Sequence, residues 1–381
     1  MIQQIKSTIG RNLTNAKGWR TNRKIVVIES DDWGSIRMPN SDIYSHYKSL
    51  GHNIDSCPYC KFDTLANTED LNSLYDVLRR FKDKKGRHPN FTFNTVMANP
   101  LFDKIRESDY TEYFYEPFTD TLKRYYPNEK VMELWRQGID EKLIQPQFHG
   151  REHVNVLAWL KSLKDGNKSV LEAFSLGFWG IPKSLYGSNL SIQASFGSYG
   201  SQQLEFYNDN IREGLQLFQD VFGFKSKTFI ANNYMWPEEL NSVLSDGGVI
   251  GLQGMKKQKI PQHNGAIALK EVYTGKTNQW QQIYIVRNAN FEPSQMPKSM
   301  DNIGTCLKAV SNSFLWKKPA IINSHRLNYI GGIHLGNRLR NLDMLKTLLE
   351  QILKKWPDVE FLSSDELVDS MSIDRKFKSA K

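Results

Sequence analysis

The chain has 381 residues, 39% hydrophobic and 24% charged, which is typical of an ordinary soluble globular protein with one barrel-sized domain or two smaller ones. Its net charge of +9 comes from 50 basic and 41 acidic residues, but the basic residues stand in ones and twos, without the basic-aromatic motif of a nucleic-acid-binding protein. No stretch is apolar enough to span a membrane or to form a signal peptide, and three cysteines do not make a disulfide scaffold, so we expect a cytoplasmic protein.

Strands and helices alternate along the chain. After a helical or loose lead-in over residues 1–23, strands are predicted at 24–28, 91–96, 143–148, 227–231, 249–252, 283–287, 320–323 and 359–365. Helices are predicted at 68–81, 128–138, 156–163, 210–218, 240–244 and 338–356. This alternation predicts an α/β fold, and polar residues at several strand ends favour a barrel with its site at one mouth. We expect one domain over 24–370, insertions near 101–130 and 165–210, and a tail over 371–381.

The first predicted strand ends in acidic residues. Its apolar run is followed by Glu29, Asp31 and Asp32, and then by Gly34, which lets the chain turn. Carboxylates at the carboxyl end of a buried strand lie where α/β enzymes assemble their sites. Since side chains alternate along an extended strand, we expect Asp31 and Asp32 to point in opposite directions, so that one could bind a metal while the other acts as a base. Taken alone, the pair also fits a simple aspartate turn.

Histidines follow two later strands. His149 and His153 are four residues apart, which would place them on one helical face if the strand gives way to a helix there. With one of the two aspartates they would form a two-histidine, one-carboxylate metal site. His325 directly follows another strand and could act as a general acid. Each of these histidines could instead be structural, bonded to a loop carbonyl or packed on a helix face.

A third motif, Cys-Pro-Tyr-Cys at residues 57–60, has the spacing of a glutaredoxin-like redox pair. Such a pair opens a helix directly after the first strand of a small domain, whereas this one follows a long polar loop. We therefore interpret it as a loop with two thiols. Half of a zinc site is the other alternative, but the sequence has no second pair of cysteines at this spacing to complete it.

Taken in order, the Asp-Asp pair, the His-x-x-x-His pair and the late histidine resemble the motifs of the polysaccharide deacetylase family, carbohydrate esterase family four, and of its divergent capsule and cell-envelope group. The resemblance implies a distorted (β/α) barrel of about seven strands, of the glycoside hydrolase/deacetylase type. It implies metal-dependent removal of acetyl groups from a carbohydrate, with Asp31 as general base and His325 as general acid. It also implies a divalent ion, expected to be zinc, on Asp32, His149 and His153.

Two other family motifs are altered. The third motif carries an arginine that orients the base and a Pro-Tyr segment that supplies an oxyanion amide, whereas residues 232–237 contain no arginine. Tyr234 and Trp236 in this segment are candidates for substrate or oxyanion contacts. Arg287, at a different strand end, is a candidate replacement for the missing arginine, and Glu292 lies near the expected position of the fourth motif.

Other functions remain open from the sequence. A metal-dependent glycoside hydrolase on the same barrel would need two carboxylates flanking a glycosidic bond, and Glu29, Glu152 and Glu292 are available. A non-catalytic glycan-binding protein could keep the metal pocket, and a thiol-disulfide oxidoreductase is a more distant alternative. The expected partner is an acetylated sugar or glycan, such as a cytoplasmic carrier-linked sugar, and not a nucleic acid. The sequence does not predict the oligomeric state.

Overall fold

The computed structural model describes residues 10–186, 192–198 and 200–379. Its strands are β1 (Lys24–Trp33), β2 (Phe91–Thr95), β3 (Ala98–Pro100), β4 (Tyr115–Pro117), β5 (Ile144–Phe148), β6 (Thr228–Phe229), β7 (Gly251–Gly254), β8 (Lys257–Pro261), β9 (Ile267–Glu271), β10 (Ile283–Val286), β11 (Ala289–Asn290), β12 (Ala320–His325) and β13 (Val359–Phe361). Its α-helices are α1 (Ser41–Ser49), α2 (Pro58–Phe62), α3 (Thr68–Leu78), α4 (Phe102–Glu107), α5 (Phe118–Tyr125), α6 (Val131–Asp140), α7 (Val156–Lys164), α8 (Lys168–Ser175), α9 (Ser201–Phe222), α10 (Leu240–Asp246), α11 (Asn302–Leu315), α12 (Leu335–Lys355) and α13 (Ser364–Ser379).

The central sheet is parallel and curls into a distorted barrel. Its strand order is β10-β7-β6-β5-β2-β1-β12-β11, and β13 pairs with the start of β1. The two ends of this order, β10 and β11, belong to one extended segment over 283–290. The first half of the segment pairs with β7 and the second half with β12, so the segment closes the sheet at a seventh strand position. The predicted α/β barrel of about seven strands is confirmed.

Strand β1 lies between β2 and β12, and the first half of the strand is apolar on both faces. Val26 and Ile28 pack into the large core between the sheet and the outer helices. Ile25 and Val27 belong to a second core. That core also contains Leu362, which follows β13, and residues of β10, β12 and the C-terminal helix: Ile283, Ile285, Ile321, Leu367, Val368 and Met371. Helix α13 contributes the last three of these, so we place it at the amino ends of the strands, which leaves the carboxyl ends for a site.

Most predicted strands and helices are present, with shifted ends. The insertion near 101–130 contains α4, β4 and α5, and β4 pairs with β3. Residues 187–191 and 199 of the second insertion, and residues 1–9 of the lead-in, lie outside the described residues. Outside the two insertions, the sequence interpretation missed the hairpin β8–β9 and the helices α1, α11 and α13, the last of which includes residues 371–379 of the predicted tail. Within the described residues, no helix combines the length and the apolar character needed to cross a membrane.

Candidate active site

Asp31 and Asp32 both line one cavity at the carboxyl end of β1. The expectation that they point in opposite directions is wrong, because β1 is not regular at this point. The backbone of Asp32 is in the left-handed region with φ 74°, and the register with β2 shifts between Ser30 and Trp33. Gly34 follows with φ 83°, where a Cβ atom would lie 2.3 Å from the carbonyl oxygen of Val96. Only glycine fits this turn, which places the second aspartate in the cavity beside the first.

His149 and His153 follow β5 in a non-helical loop, so the predicted helical face is wrong. The loop nevertheless brings both imidazoles to Asp32. The Nε2 atoms of His153 and His149 lie 3.0 Å and 3.4 Å from Asp32 Oδ1. One ligand atom from each of the three residues lies within 4.8 Å of the other two. Asp32 lies at the end of β1, and the two histidines follow β5, more than 100 positions later in the sequence. All three residues are buried.

The side chains of this group fit a divalent metal ion. His149 Nδ1 lies 2.8 Å from the Ile230 carbonyl oxygen and donates to it, which leaves the Nε2 lone pair facing Asp32. Burial and the charge of Arg37 lower the pKa of His153 to about 4, so its imidazole is neutral at neutral pH. Its Nδ1 atom is buried and has no hydrogen-bond partner within the described part of the chain. Two imidazoles and one carboxylate, with positions left for water and substrate, are typical of a zinc site.

Arg287 holds Asp31 on the other side of the cavity. Its Nη1 and Nη2 atoms donate to Asp31 Oδ2 and Oδ1 at 2.8 and 2.6 Å, and its Nε donates to Glu29 at 2.6 Å. Asn94 adds a third donor to Asp31, at 2.7 Å. Burial alone would raise the pKa of Asp31, but Arg287 lowers it to about 2, so the carboxylate is ionised at neutral pH. Such a fork fixes the carboxylate in one orientation.

His325 lies at the end of β12, directly opposite Asp31 in the register with β1. Its Nδ1 atom is hydrogen-bonded to Glu292, and its Nε2 atom lies 3.7 Å from Asp31 Oδ2. Burial alone would lower the pKa of His325, but the Glu292 carboxylate and the two aspartates raise it to about 9. The imidazole is therefore protonated at neutral pH, and its Nε2–H faces the cavity.

The cavity has a volume of about 340 Å³. Besides the three histidines and the two aspartates, its lining includes Arg37, Tyr59, Gln193, Ala231, Asn233, Tyr234, Met255, Asn290, Glu292, Gln295, Met296 and Asn323. A larger cavity of about 740 Å³ lies beside the β8–β9 hairpin and contains none of the metal-binding candidates.

The segment after β6 contributes Tyr234 to the cavity but not Trp236. The Tyr234 hydroxyl accepts a hydrogen bond from Arg287 at 3.1 Å. Trp236 is buried in the core, where its Nε1 donates to Asn241 at 3.0 Å, because the preceding residue pairs with β8. The backbone N–H groups of Tyr234 and Trp236 donate to carbonyl oxygens at 2.9 and 3.1 Å, so neither is free to bind an oxyanion. The structure does not place Trp236 in the candidate site.

The three glutamates that a glycoside hydrolase could use are separated. Glu292 lines the cavity. Glu29 is completely buried beneath Arg287, and Glu152 is buried against Arg151, which donates to it at 2.7 Å. Neither of the two can flank a bound sugar in this cavity.

Arg37 and Tyr59 were not recognised from the sequence as site residues. The Arg37 guanidinium lies 4.9 Å from the ring centres of both Tyr59 and Trp179, and its Nη2 lies 3.4 Å from Asp32 Oδ2. The only sequence feature that pointed to Arg37 as a site residue was its position, five residues after Asp32. Its aromatic neighbours are distant in sequence, so this stacking could not be inferred.

Comparisons with known proteins find similarity at the level of the fold. No family model matches the chain, and no curated protein matches it. Among solved structures, the chain is similar to one described as a polysaccharide deacetylase from Mycobacterium smegmatis, with 9% identity, a TM-score of 0.46 and 94% of each chain covered. It is also similar to Puue allantoinase, with 10% identity, a TM-score of 0.44 and 92% and 91% covered.

A third similar structure is a pseudoenzyme of the CE4 family from Bacillus anthracis, with 9% identity, a TM-score of 0.39, and 91% of this chain and 66% of that chain covered. Polysaccharide deacetylases are therefore among the solved structures to which this chain is similar.

Proposed function

We propose that this protein is a metal-dependent hydrolase that removes acetyl groups from a carbohydrate. One observation carries the proposal: a candidate metal site, an arginine-held carboxylate and a protonated histidine face one cavity of about 340 Å³. Asp32, His149 and His153 are the proposed ligands of the ion, which we expect to be zinc. Asp31 and His325 remain for proton transfer.

The bound ion would polarise the acetyl carbonyl and make a bound water more acidic. Asp31 accepts a proton from the attacking water, and Arg287 keeps its carboxylate ionised and oriented while it does so. His325 Nε2 then donates its proton to the departing amine or alcohol. Glu292 positions the imidazole and keeps it protonated until that step. The base and the acid lie beside each other on adjacent strands, with His325 Nε2 3.7 Å from Asp31 Oδ2.

A small acetylated sugar is the substrate class that suits this cavity. Its volume lies near the lower end of the range of about 300–1,000 Å³ that small-ligand pockets occupy. The wall presents the aromatic rings of Tyr59 and Tyr234 together with amide groups from Asn233, Gln295 and Asn323. Such rings pack against the apolar face of a sugar, while amides bond its hydroxyls.

The test is to measure acetate release from an N-acetylglucosamine oligomer and from an O-acetylated xylose oligomer, with zinc supplied. The wild-type protein should release acetate without forming new reducing ends. His325→Gln should lower the rate by about 10²- to 10⁴-fold, the usual loss for a general acid. His88→Gln is the matched control, because His88 bonds the Phe81 carbonyl oxygen and does not line the cavity. New reducing ends without acetate, or full activity in His325→Gln, would contradict the proposal.

A further inference from the structure

The Cys-Pro-Tyr-Cys motif is a feature that the proposed hydrolase does not use. The sequence interpretation placed residues 57–60 in a loop, but in the structure Cys57 is the N-cap residue of α2 and Cys60 lies in its first turn. Both cysteines are free. Tyr59, between them, lines the cavity of the candidate active site. The motif therefore has the local structure that its spacing indicated, next to a functional cavity.

The two thiols have different surroundings. Cys57 is partly exposed, whereas Cys60 is only 1% exposed. The neighbouring Cys60 thiol, the backbone at the start of α2 and the charge of Arg37 lower the pKa of Cys57 to about 6, although burial raises it. The Cys60 thiol donates a hydrogen bond to the Gly180 carbonyl oxygen at 3.3 Å. The nearby Cys57 sulfur and burial both raise the pKa of Cys60.

We propose that Cys57 and Cys60 form a redox-active dithiol that reacts with low-molecular-weight disulfides of the glutathione type. The Cys57 thiolate attacks one sulfur of such a disulfide, which forms a mixed disulfide and releases one thiolate. Cys60 then loses its proton and attacks Cys57 Sγ, which closes the Cys57–Cys60 bond and releases the second thiol. Overall, one small disulfide is reduced to two thiols while the dithiol is oxidised to a disulfide. The order of attack follows from access, since Cys57 is the more exposed of the two.

Closing the bond affects the cavity wall. A disulfide holds the Cβ atoms of its two cysteines about 3.5–4.5 Å apart. Forming the bond therefore constrains the turn that carries Tyr59, and any movement of that turn displaces the Tyr59 ring. The Tyr59 ring is stacked on Arg37, which donates to Asp32, so this movement reaches a proposed metal ligand through two direct contacts. The dithiol itself does not depend on the proposed hydrolase activity.

In the experiment, the whole chain is equilibrated in buffers with an increasing ratio of oxidised to reduced glutathione. Each sample is then quenched with acid, alkylated and analysed by mass spectrometry. Wild-type protein should lose alkylation at Cys57 and Cys60 together, with the mass loss of two hydrogens. Cys60→Ser should instead accumulate one glutathione on Cys57, and Cys57→Ser should form neither product. Cys306→Ser is the matched control, because Cys306 is a buried cysteine and should leave the transition unchanged.

Circular dichroism of each variant in reducing buffer checks that it is folded before titration. The proposal is overturned if folded wild-type protein stays fully alkylated at Cys57 and Cys60 at every glutathione ratio. It is also overturned if Cys57→Ser forms the mixed disulfide and Cys60→Ser does not, since that result assigns the attacking thiolate to the buried residue. A loss of acetate release with intact dithiol chemistry would affect only the proposed hydrolase.

Discussion

Replacing Arg287 by methionine should both destabilise the fold and slow the proposed reaction. The guanidinium is completely buried and is the cation paired with both Glu29 and Asp31. Its removal leaves Glu29 without a counter-charge, and Asp31 keeps only the protonated His325, whose Nε2 lies 3.7 Å away. Breaking a buried ion pair by removing one partner costs about 3–5 kcal/mol. We expect a loss within that range, because one substitution removes the arginine that both carboxylates share.

The effect on catalysis should be separate from the effect on stability. Without Arg287, Asp31 loses two of the three side-chain hydrogen bonds described above and keeps only the one from Asn94. A base that drifts by about 1 Å costs on the order of 10²-fold in rate. Arg287→Lys should recover part of the stability, because it restores a charge, but little of the rate, because an ammonium lacks the two-pronged geometry.

Arg338→Met is the matched control for this prediction. Arg338 is also a buried arginine, and it bonds Asp70 at 2.8 Å without lining the cavity. Urea unfolding at pH 7 should show a comparable loss of stability for both variants. Acetate release, measured below the unfolding transition, should fall only in Arg287→Met. An unfolding free energy of Arg287→Met within about 1 kcal/mol of wild type, or an equal loss of rate in Arg338→Met, would refute the reasoning.

Three further predictions concern single sites. Glu292→Gln removes the carboxylate that raises the pKa of His325 to about 9, so the fall in rate at high pH should move to lower pH in a pH–rate profile. The Arg23 hydrogen bond and Lys85 hold the pKa of Glu360 at about 2, below its usual 4.5. Glu360→Gln should therefore lower the free energy of unfolding in urea at pH 7 by about 1–2 kcal/mol. This figure is smaller than the full pKa shift implies, because Lys85 is 51% exposed and solvent screens its charge. The difference from wild type should vanish as pH falls from 4.5 to 2. Gly34→Ala should lower unfolding stability by at least about 1–3 kcal/mol, since its φ of 83° and the Val96 carbonyl oxygen exclude a Cβ atom; a wild-type urea midpoint would contradict this.

The barrel could be predicted because its strands carry strong local signals. The β-branched run at the start of β1 and the acids that follow it are local in sequence, and so are the alternating helices. Helix α13 was missed although Leu367, Val368 and Met371 have helical spacing, because residues up to 365 were assigned to a strand. The hairpin β8–β9 was missed because β8 begins with three polar residues and β9 is short and mostly exposed, with little periodicity to detect.

The candidate site was predicted in its residue types but not in its geometry. The left-handed backbone of Asp32 depends on Gly34 and on the close approach of Val96, which is a contact between strands. The His149–His153 spacing suggested a helix, but the loop that carries these residues forms backbone hydrogen bonds with Thr95, Met97 and Ala98 instead. The stacking of Arg37 between Tyr59 and Trp179 joins three distant parts of the chain, so no local pattern could reveal it.

The most direct test of the central claim is the metal content of purified protein after dialysis against a small excess of zinc. Wild-type protein and His88→Gln should each retain one zinc per chain, as measured by inductively coupled plasma mass spectrometry. Asp32→Ala and His153→Ala should retain none, because each removes one of three ligands that lie within 4.8 Å of one another. One zinc per chain in Asp32→Ala and His153→Ala, or none in the wild type, would contradict the account.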